Sequence, residues 1–168
     1  MNSQAGIPVR ISCLGPWIIP GPGSRAGLPV RGPPAIRRHR PDVVLSINFR
    51  DSWGGPSWNH ADHRAVGRAL LDAVRDAANP WCFTDRGEAW DGVRFTAFNA
   101  SPEPTHAVDV TDWIERGVAS LAAHRTYLDG LSDGTVGKDP GPFLRGIASM
   151  AGPRLGVEYA SSFEVIDL

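Results

Sequence analysis

Two histidines three residues apart are the feature of the sequence that says most about chemistry. His60 and His63 lie in the stretch Asn59-His-Ala-Asp-His63, at the start of a segment with helical periodicity. Residues three apart on a helix share one face, with Cβ atoms roughly 5–6 Å apart, so both imidazoles can address one small site. Imidazole is a common zinc ligand, and a hydrolytic zinc takes about three protein ligands plus water. Alone, this spacing favours a surface or capping role for both residues.

The loop before the histidines carries further polar and aromatic candidates. Asp51 offers a carboxylate and is a speculative third metal ligand. Trp53 and Trp58 flank the glycines of the loop, so their rings are candidates for a platform against a sugar, although packing explains them equally well. Asp62, between the histidines, is expected to have a structural role, because a carboxylate near a helix N-terminus is stabilised by the helix dipole.

Alternating strand and helix patterns surround these residues. The apolar, β-branched run at 43–49 predicts a buried strand, and a helix is expected from an N-cap at Asn59 to Asn79-Pro80. The later elements predicted are strands at 93–98, 106–110 and 157–166, a helix from Thr111 or Asp112 to Gly130, and a helix within 142–150. This alternation predicts an α/β protein with a Rossmann-like three-layer fold and a mostly parallel sheet. In such folds ligands bind beyond the carboxyl ends of the strands.

Residues 1–41 differ in composition from the rest of the chain. They contain Gly or Pro at about every third position, six arginines and no acidic residue. Neither a helix nor a central strand tolerates many prolines, so a disordered or irregular segment is predicted. The composition fits a flexible arm, and it equally fits translation of GC-rich DNA from a wrong start or frame. Residues 42–168 are therefore expected to be the C-terminal portion of a domain whose N-terminal portion is truncated.

Composition and charge exclude several classes of function. All 18 acidic residues and 11 of the 17 basic residues lie in 42–168, which gives that segment a net charge of −7 and disfavours nucleic acid as a partner. No apolar run approaches the roughly 20 residues that span a bilayer, so a membrane is not an expected partner. Cys13 and Cys82 are not spaced as a metal or redox motif and are expected to be free thiols, which predicts a cytoplasmic protein.

Several landmarks follow one another in order along residues 40–168. The first is the stretch from Asn59 to Ala69, preceded by Arg40-Pro-Asp-Val-Val44. The later ones are His106-Ala-Val-Asp-Val-Thr111, the helix that reaches Ala122-Ala-His-Arg-Thr126, and Gly156-Val-Glu-Tyr-Ala160 with Phe163. In this order they resemble the PIG-L (LmbE-like, GlcNAc-PI de-N-acetylase) family of metal-dependent deacetylases, and the first is similar to the family's second motif, usually Gly-His-Pro-Asp-His-Arg.

The resemblance implies a role for each histidine of the pair. His63 corresponds to the family's zinc ligand, and His60 to the histidine that stabilises or protonates the tetrahedral intermediate. The family's early His-Pro-Asp-Asp motif, which supplies two more zinc ligands and the general base, is missing, and His39 is the only histidine in residues 1–41. One or two imidazoles do not make a tight zinc site, so zinc is expected to bind weakly or not at all.

The resemblance thus implies a zinc-dependent N-deacetylase that hydrolyses N-acetylglucosaminyl or related amino-sugar conjugates, impaired in this chain. A catalytically inactive sugar-binding remnant of the family is the first alternative. A mis-started gene fragment without a stable fold is the second.

Overall fold

The structure is a computed structural model that describes residues 11–13, 28–130 and 139–168. Its strands are β1 (Ile11–Cys13), β2 (Val43–Ile47), β3 (Ser52–Gly54), β4 (Ser57–Trp58), β5 (Phe95–Asn99), β6 (His106–Asp109) and β7 (Ala160–Ile166). Its helices are α1 (Leu28–His39), α2 (Ala61–Ala78), α3 (Ile114–Ala122), α4 (Arg125–Gly130) and α5 (Pro140–Ala151), with 3-10 turns at Thr111–Trp113 and Gly152–Arg154. The chain divides into a first unit, Met1–Pro104 with Phe163–Leu168, and a second unit, Thr105–Ser162.

The main sheet contains both parallel and antiparallel strands. Its order is β1-β2-β5-β7-β6. β2 pairs in parallel with β1 and β5, whereas β7 runs antiparallel to β5, with Phe98 opposite Glu164. The α/β class predicted from the sequence is confirmed, and the sheet is a mixed one.

The core of the first unit lies where α1 and α2 pack on the sheet. Its buried residues are Ile36, Val44, Leu70, Ala73, Val74, Ala77 and Val93, with Trp90 packed against them. Four of these lie on α2 at the helical spacing seen in the sequence, so this helix buries the apolar stripe that its sequence predicts. The strand predicted at 43–49 is confirmed as β2.

Helix α1 corrects the prediction that residues 1–41 lack regular structure, because Leu28–His39 is helical although Pro33 and Pro34 lie inside it. Proline removes a helical hydrogen bond and clashes with the preceding turn. Tertiary packing offsets that cost: Pro33 and Ile36 are fully buried. A Cβ atom on Gly32 would lie 2.5 Å from that of Ala73, so the two helices are in close contact.

The side chain of Arg37 joins α1 to the end of α2. The residue is 4% exposed, and the five N–H groups of its guanidinium reach six main-chain carbonyls, because three carbonyls share the two hydrogens of Nη2. The acceptors are the carbonyls of Asp76, Ala77, Asn79, Cys82, Phe83 and Gly87, at 2.7–3.3 Å. Three of them belong to the last turn and C-cap of α2, where carbonyls have no partner within the helix. Arg37 therefore closes the C-terminus of α2 and orders the following loop.

The second unit contains α3, α4 and α5. Arg145 on α5 forms a two-pronged ion pair with Glu115 on α3, with both N–O distances 2.8 Å. The Asp139 side chain caps α5 through the Gly141 N–H at 2.9 Å. The single helix predicted up to Gly130 is wrong, because the chain forms a 3-10 turn, α3 and then α4, and leaves the helical path at Ala123 and His124. No helix that the structure describes is long and apolar enough to cross a bilayer.

Candidate functional site

The predicted site residues lie in the first unit, between the end of β2 and the N-terminus of α2. The chain leaves β2, forms the small β3–β4 hairpin and enters α2 one residue after His60. The imidazole rings of His60 and His63 lie 5.8 Å apart, centre to centre, and are inclined by 67°. The ring of Trp53 meets that of His63 edge-on at 5.6 Å. The structure therefore brings together both histidines and one of the two loop tryptophans.

Asn59 does not cap α2 as the sequence predicts. The residue before the helix is His60, whose backbone is extended and whose side chain makes no capping hydrogen bond. Asn59 is fully buried, and its amide nitrogen lies 2.9 Å from the carbonyl oxygens of both Asn48 and Arg50. Its main-chain N–H donates to the Asp51 carbonyl at 2.8 Å. Asn59 therefore ties the loop after β2 to the start of the helix.

The same Asn59 side chain holds His63. The oxygen Oδ1 of Asn59 lies 3.1 Å from Nδ1 of the imidazole. His63 is half-buried and His60 is exposed. Two imidazoles at one helix start thus have different surroundings, and in the described part of the chain only His63 of the pair has a hydrogen-bond partner for its ring.

Asp51 and Trp58 contact arginines of α2. A carboxylate oxygen of Asp51 lies 3.2 Å from Nη1 of Arg64 and 3.8 Å from Nη2 of Arg68. The Arg64 guanidinium also lies over the Trp58 ring, 4.8 Å from its centre. Trp58 remains 68% exposed. Asp51 and Trp58 therefore form a surface with Arg64 that combines an ion pair and an aromatic ring, whereas Trp53 packs against His63.

A buried carboxylate that sequence reasoning missed anchors the same loop. Glu164 on β7 is 4% exposed and forms a two-pronged ion pair with the Arg50 guanidinium. The Ser101 hydroxyl donates to Glu164 at 2.6 Å, and Glu103 lies 2.9 Å from the Arg50 guanidinium. The two members of the main pair are 114 residues apart in sequence, so no local motif marks them. Only the antiparallel placement of β7 beside β5 brings them together.

The ion pair shifts the ionisation of both partners. Burial by itself raises the pKa of Glu164, but the hydrogen bonds from Arg50 and Ser101 and the positive charge of Arg50 outweigh it, so the pKa is lowered. The hydrogen bond to Glu164 raises the pKa of Arg50. Glu164 is therefore a stable carboxylate that holds Arg50 in place at the end of β2.

The described residues do not fit a tight zinc site. Zinc sites combine three or four His, Cys, Asp or Glu side chains around one point. In residues 11–13, 28–130 and 139–168, no three such side chains converge on a point where a metal ion would be held. His60 and His63 are a pair without a converging carboxylate, since Asp51 is directed to Arg64 and Arg68.

Solved structures of known proteins are similar in fold to this chain. No family model and no curated protein matches the chain. Among solved structures, the chain is similar to the N,N'-diacetylchitobiose deacetylase from Pyrococcus horikoshii, with a TM-score of 0.70 and 24% identity over 86% of this chain and 52% of that one. It is also similar to the conserved protein TT1542 from Thermus thermophilus, with a TM-score of 0.62 and 26% identity over 81% of this chain and 56% of that one.

A third similar structure is GalB, the 4-carboxy-2-hydroxymuconate hydratase from Pseudomonas putida KT2440. Its TM-score is 0.58, with 16% identity over 84% of this chain and 58% of that one. The chain shares its fold with all three. It spans between half and three fifths of their lengths. One of the three acts as a deacetylase and another as a hydratase, so the shared fold by itself leaves the reaction open.

Proposed function

We propose that this chain is part of a zinc-dependent N-deacetylase of the PIG-L class, with an incomplete metal site and little or no activity of its own. Such an enzyme hydrolyses the acetamide of an N-acetylglucosaminyl or related amino-sugar conjugate: water adds to the carbonyl carbon, the C–N bond breaks, and acetate and a free amine leave. The observation that carries the proposal is the convergence of His60, His63 and Trp53 at the end of β2. The fold shared with the Pyrococcus deacetylase supports it.

Each histidine of this group has a proposed role. His63 is the one metal ligand that the chain retains, because its ring is half-buried and oriented by Asn59. His60 is exposed beside it and is suited to stabilise or protonate the tetrahedral intermediate. Among the described residues no carboxylate joins the two histidines in a group of three possible metal ligands, and Asp51 is paired with Arg64 and Arg68. An imidazole pair without such a base binds Zn²⁺ weakly and leaves water unactivated, so deacetylation is impaired.

The remaining details are proposals of the same kind. We propose that residues 42–168 correspond to the C-terminal portion of a Rossmann-like domain, and that the protein is cytoplasmic. The chain spans 52% of the deacetylase structure, which is compatible with such a portion.

A second candidate function is an inactive module that binds amino sugars. The exposed ring of Trp58 favours it, because an indole held by Arg64 on one side presents an apolar face for a sugar ring. Asp51 and Arg64 beside it offer acceptors and donors for hydroxyl groups. Such a module binds the sugar without releasing acetate.

Zinc binding and acetate release distinguish the two candidates. The chain is stripped with chelator, titrated with Zn²⁺ by calorimetry, and then incubated with N,N'-diacetylchitobiose while acetate is measured. We expect weak zinc binding, lost in His63→Ala and retained in His124→Ala, with little or no acetate. His124 is the matched control because it is exposed and, among the described residues, its ring has one hydrogen-bond partner, the Ser120 carbonyl at 3.0 Å.

Three results would contradict parts of this proposal. Zinc binding that survives His63→Ala removes the metal-ligand role. Rapid acetate release that His63→Ala abolishes shows that the chain is a competent deacetylase and not an impaired one. Sugar binding that Trp58→Ala abolishes, without any zinc binding, favours the inactive module.

A further inference from the structure

The buried side-chain amide of Asn59 has only one satisfactory orientation. Its Nδ2 lies 2.9 Å from two main-chain carbonyl oxygens, those of Asn48 and Arg50. Carbonyl oxygens only accept hydrogen bonds, so the nitrogen of the amide, which has two hydrogens, must face them. The flipped amide would place its oxygen against both carbonyls. Because Asn59 is fully buried, no solvent is available to relieve that repulsion.

This orientation fixes the hydrogen on the imidazole of His63. The Oδ1 of Asn59 is left facing Nδ1 of His63 at 3.1 Å, and an amide oxygen can only accept. Nδ1 must therefore be the protonated nitrogen of the neutral ring. A neutral imidazole has one N–H, so its lone pair lies on Nε2.

We propose that Asn59 is a positioning residue that locks His63 in the Nδ1–H form and presents Nε2 as an electron-pair donor. Building on the proposed function, this is the form in which the ring can bind a metal ion or accept a proton through Nε2. Partners of this kind on the second ring nitrogen orient histidines in metal sites generally. Nothing in the sequence pattern distinguishes Asn59 from a helix N-cap, which is the role that its residue type predicts.

The loop after β2 keeps the amide in place. The Arg50 carbonyl that accepts from Asn59 belongs to the residue whose guanidinium is held by the buried Glu164. The Asn48 side chain accepts from the Arg50 N–H at 2.9 Å and donates to the Ser52 carbonyl at 2.8 Å. Both carbonyls that orient Asn59 are therefore fixed by contacts of their own.

The tautomer is measured directly by long-range ¹H–¹⁵N correlation NMR on the ¹⁵N-labelled chain, without metal, at about pH 9, where imidazoles are neutral. His60→Gln and His63→Gln assign the two rings. We expect His63 to show a protonated Nδ1 and an unprotonated Nε2. His60, whose ring has no hydrogen-bond partner among the described residues, is expected to show the Nε2–H form that free imidazole side chains prefer in water. Wild-type protein with His63 protonated at Nε2 overturns the inference.

Two alanine variants separate the role of Asn59 from a general effect on the loop. In Asn59→Ala the Nδ1–H signal of His63 is expected to disappear in favour of Nε2–H. Ser52→Ala is the matched control, because it removes a side-chain hydrogen bond of the same loop, from the Gly54 N–H to the Ser52 hydroxyl at 2.9 Å, that touches neither Asn59 nor the imidazole. It is expected to keep the wild-type tautomer. A folded Asn59→Ala variant that keeps Nδ1–H refutes the assignment, and if that variant does not fold, the wild-type spectrum decides.

The sample contains neither zinc nor substrate, so its result is independent of the test of the proposed function. An Nδ1–H ring in a chain that binds no zinc and no sugar upholds the role of Asn59 while the proposed function fails. An Nε2–H ring in a chain whose zinc binding depends on His63 refutes the role of Asn59, while the proposed function stands.

Discussion

Replacing Arg37 by methionine tests whether α1 is an integral part of the first unit. Methionine keeps an apolar stem of similar length but removes the five N–H donors that reach the six carbonyls. A hydrogen bond from a charged group contributes about 1.5–3 kcal/mol. Water will satisfy some of the released carbonyls. If only two bonds are lost without replacement, the free energy of unfolding falls by about 3–6 kcal/mol, a large part of the roughly 5–15 kcal/mol typical of a whole domain.

The assay is urea denaturation followed by tryptophan fluorescence, with Arg38→Met as control. Arg38 is the exposed neighbour, and the one hydrogen-bond partner of its guanidinium among the described residues is the His39 ring, at 3.4 Å. For a denaturation slope of roughly 1–3 kcal/mol/M, a loss of about 3 kcal/mol lowers the midpoint by about 1–3 M. Arg38→Met is expected to leave the midpoint nearly unchanged. Equal midpoints for the two variants would refute the docking of α1 by Arg37 and favour the prediction of a flexible arm.

Two further predictions concern packing and pH. Gly67→Ala on α2 places a methyl group against Phe49 and 3.2 Å from the Phe98 ring, so it is expected to destabilise the protein by about 1–3 kcal/mol in thermal unfolding. Gly117→Ala on α3 is the control: no atom of the described residues lies within 4 Å of the added methyl group, so it is expected to stabilise by about 0.5–1 kcal/mol. A stabilising Gly67→Ala contradicts the close contact. The pKa of Glu164 is lower in the folded state than its unfolded-state value of about 4.5. The ion pair therefore contributes fully to stability above about pH 4.5, and this contribution is lost as pH falls through the folded-state pKa. Stability measured from pH 7 to 3 is therefore expected to fall less steeply in Glu164→Gln, and identical acid limbs would show that the ion pair does not act in this way.

The sequence predicts the parts of the fold that have a strong local period. The apolar run of β2 and the amphipathic stripe of α2 are both found where the pattern places them. Helix α1 is missed because its prolines argue against a helix, and its compensation comes from packing on Ala73 and other residues far along the chain. The break at Ala123 and His124 is missed because the apolar pattern continues across it.

The sequence predicts the part of the candidate site that depends only on the spacing of two residues along one helix. The i and i+3 positions of His60 and His63 place their rings together at the start of α2, as their spacing predicts. The buried amide of Asn59 is misread as a cap, because residue type and position alone do not reveal which carbonyls the loop brings near it. The Arg50–Glu164 pair depends on strand order, which no short motif encodes.

The long sequence separation of Arg50 and Glu164 also sets an order of events during synthesis. The loop after β2 and the start of α2 leave the ribosome early, but the carboxylate that clamps Arg50 is translated 114 residues later. Until β7 has joined β5, the Arg50 guanidinium has no buried partner, and the carbonyls that orient Asn59 lie in an unclamped loop. The surroundings of His63 are therefore completed only when nearly all of this chain has emerged, and a nascent chain stalled before β7 is expected to display both histidines in a loosely ordered state.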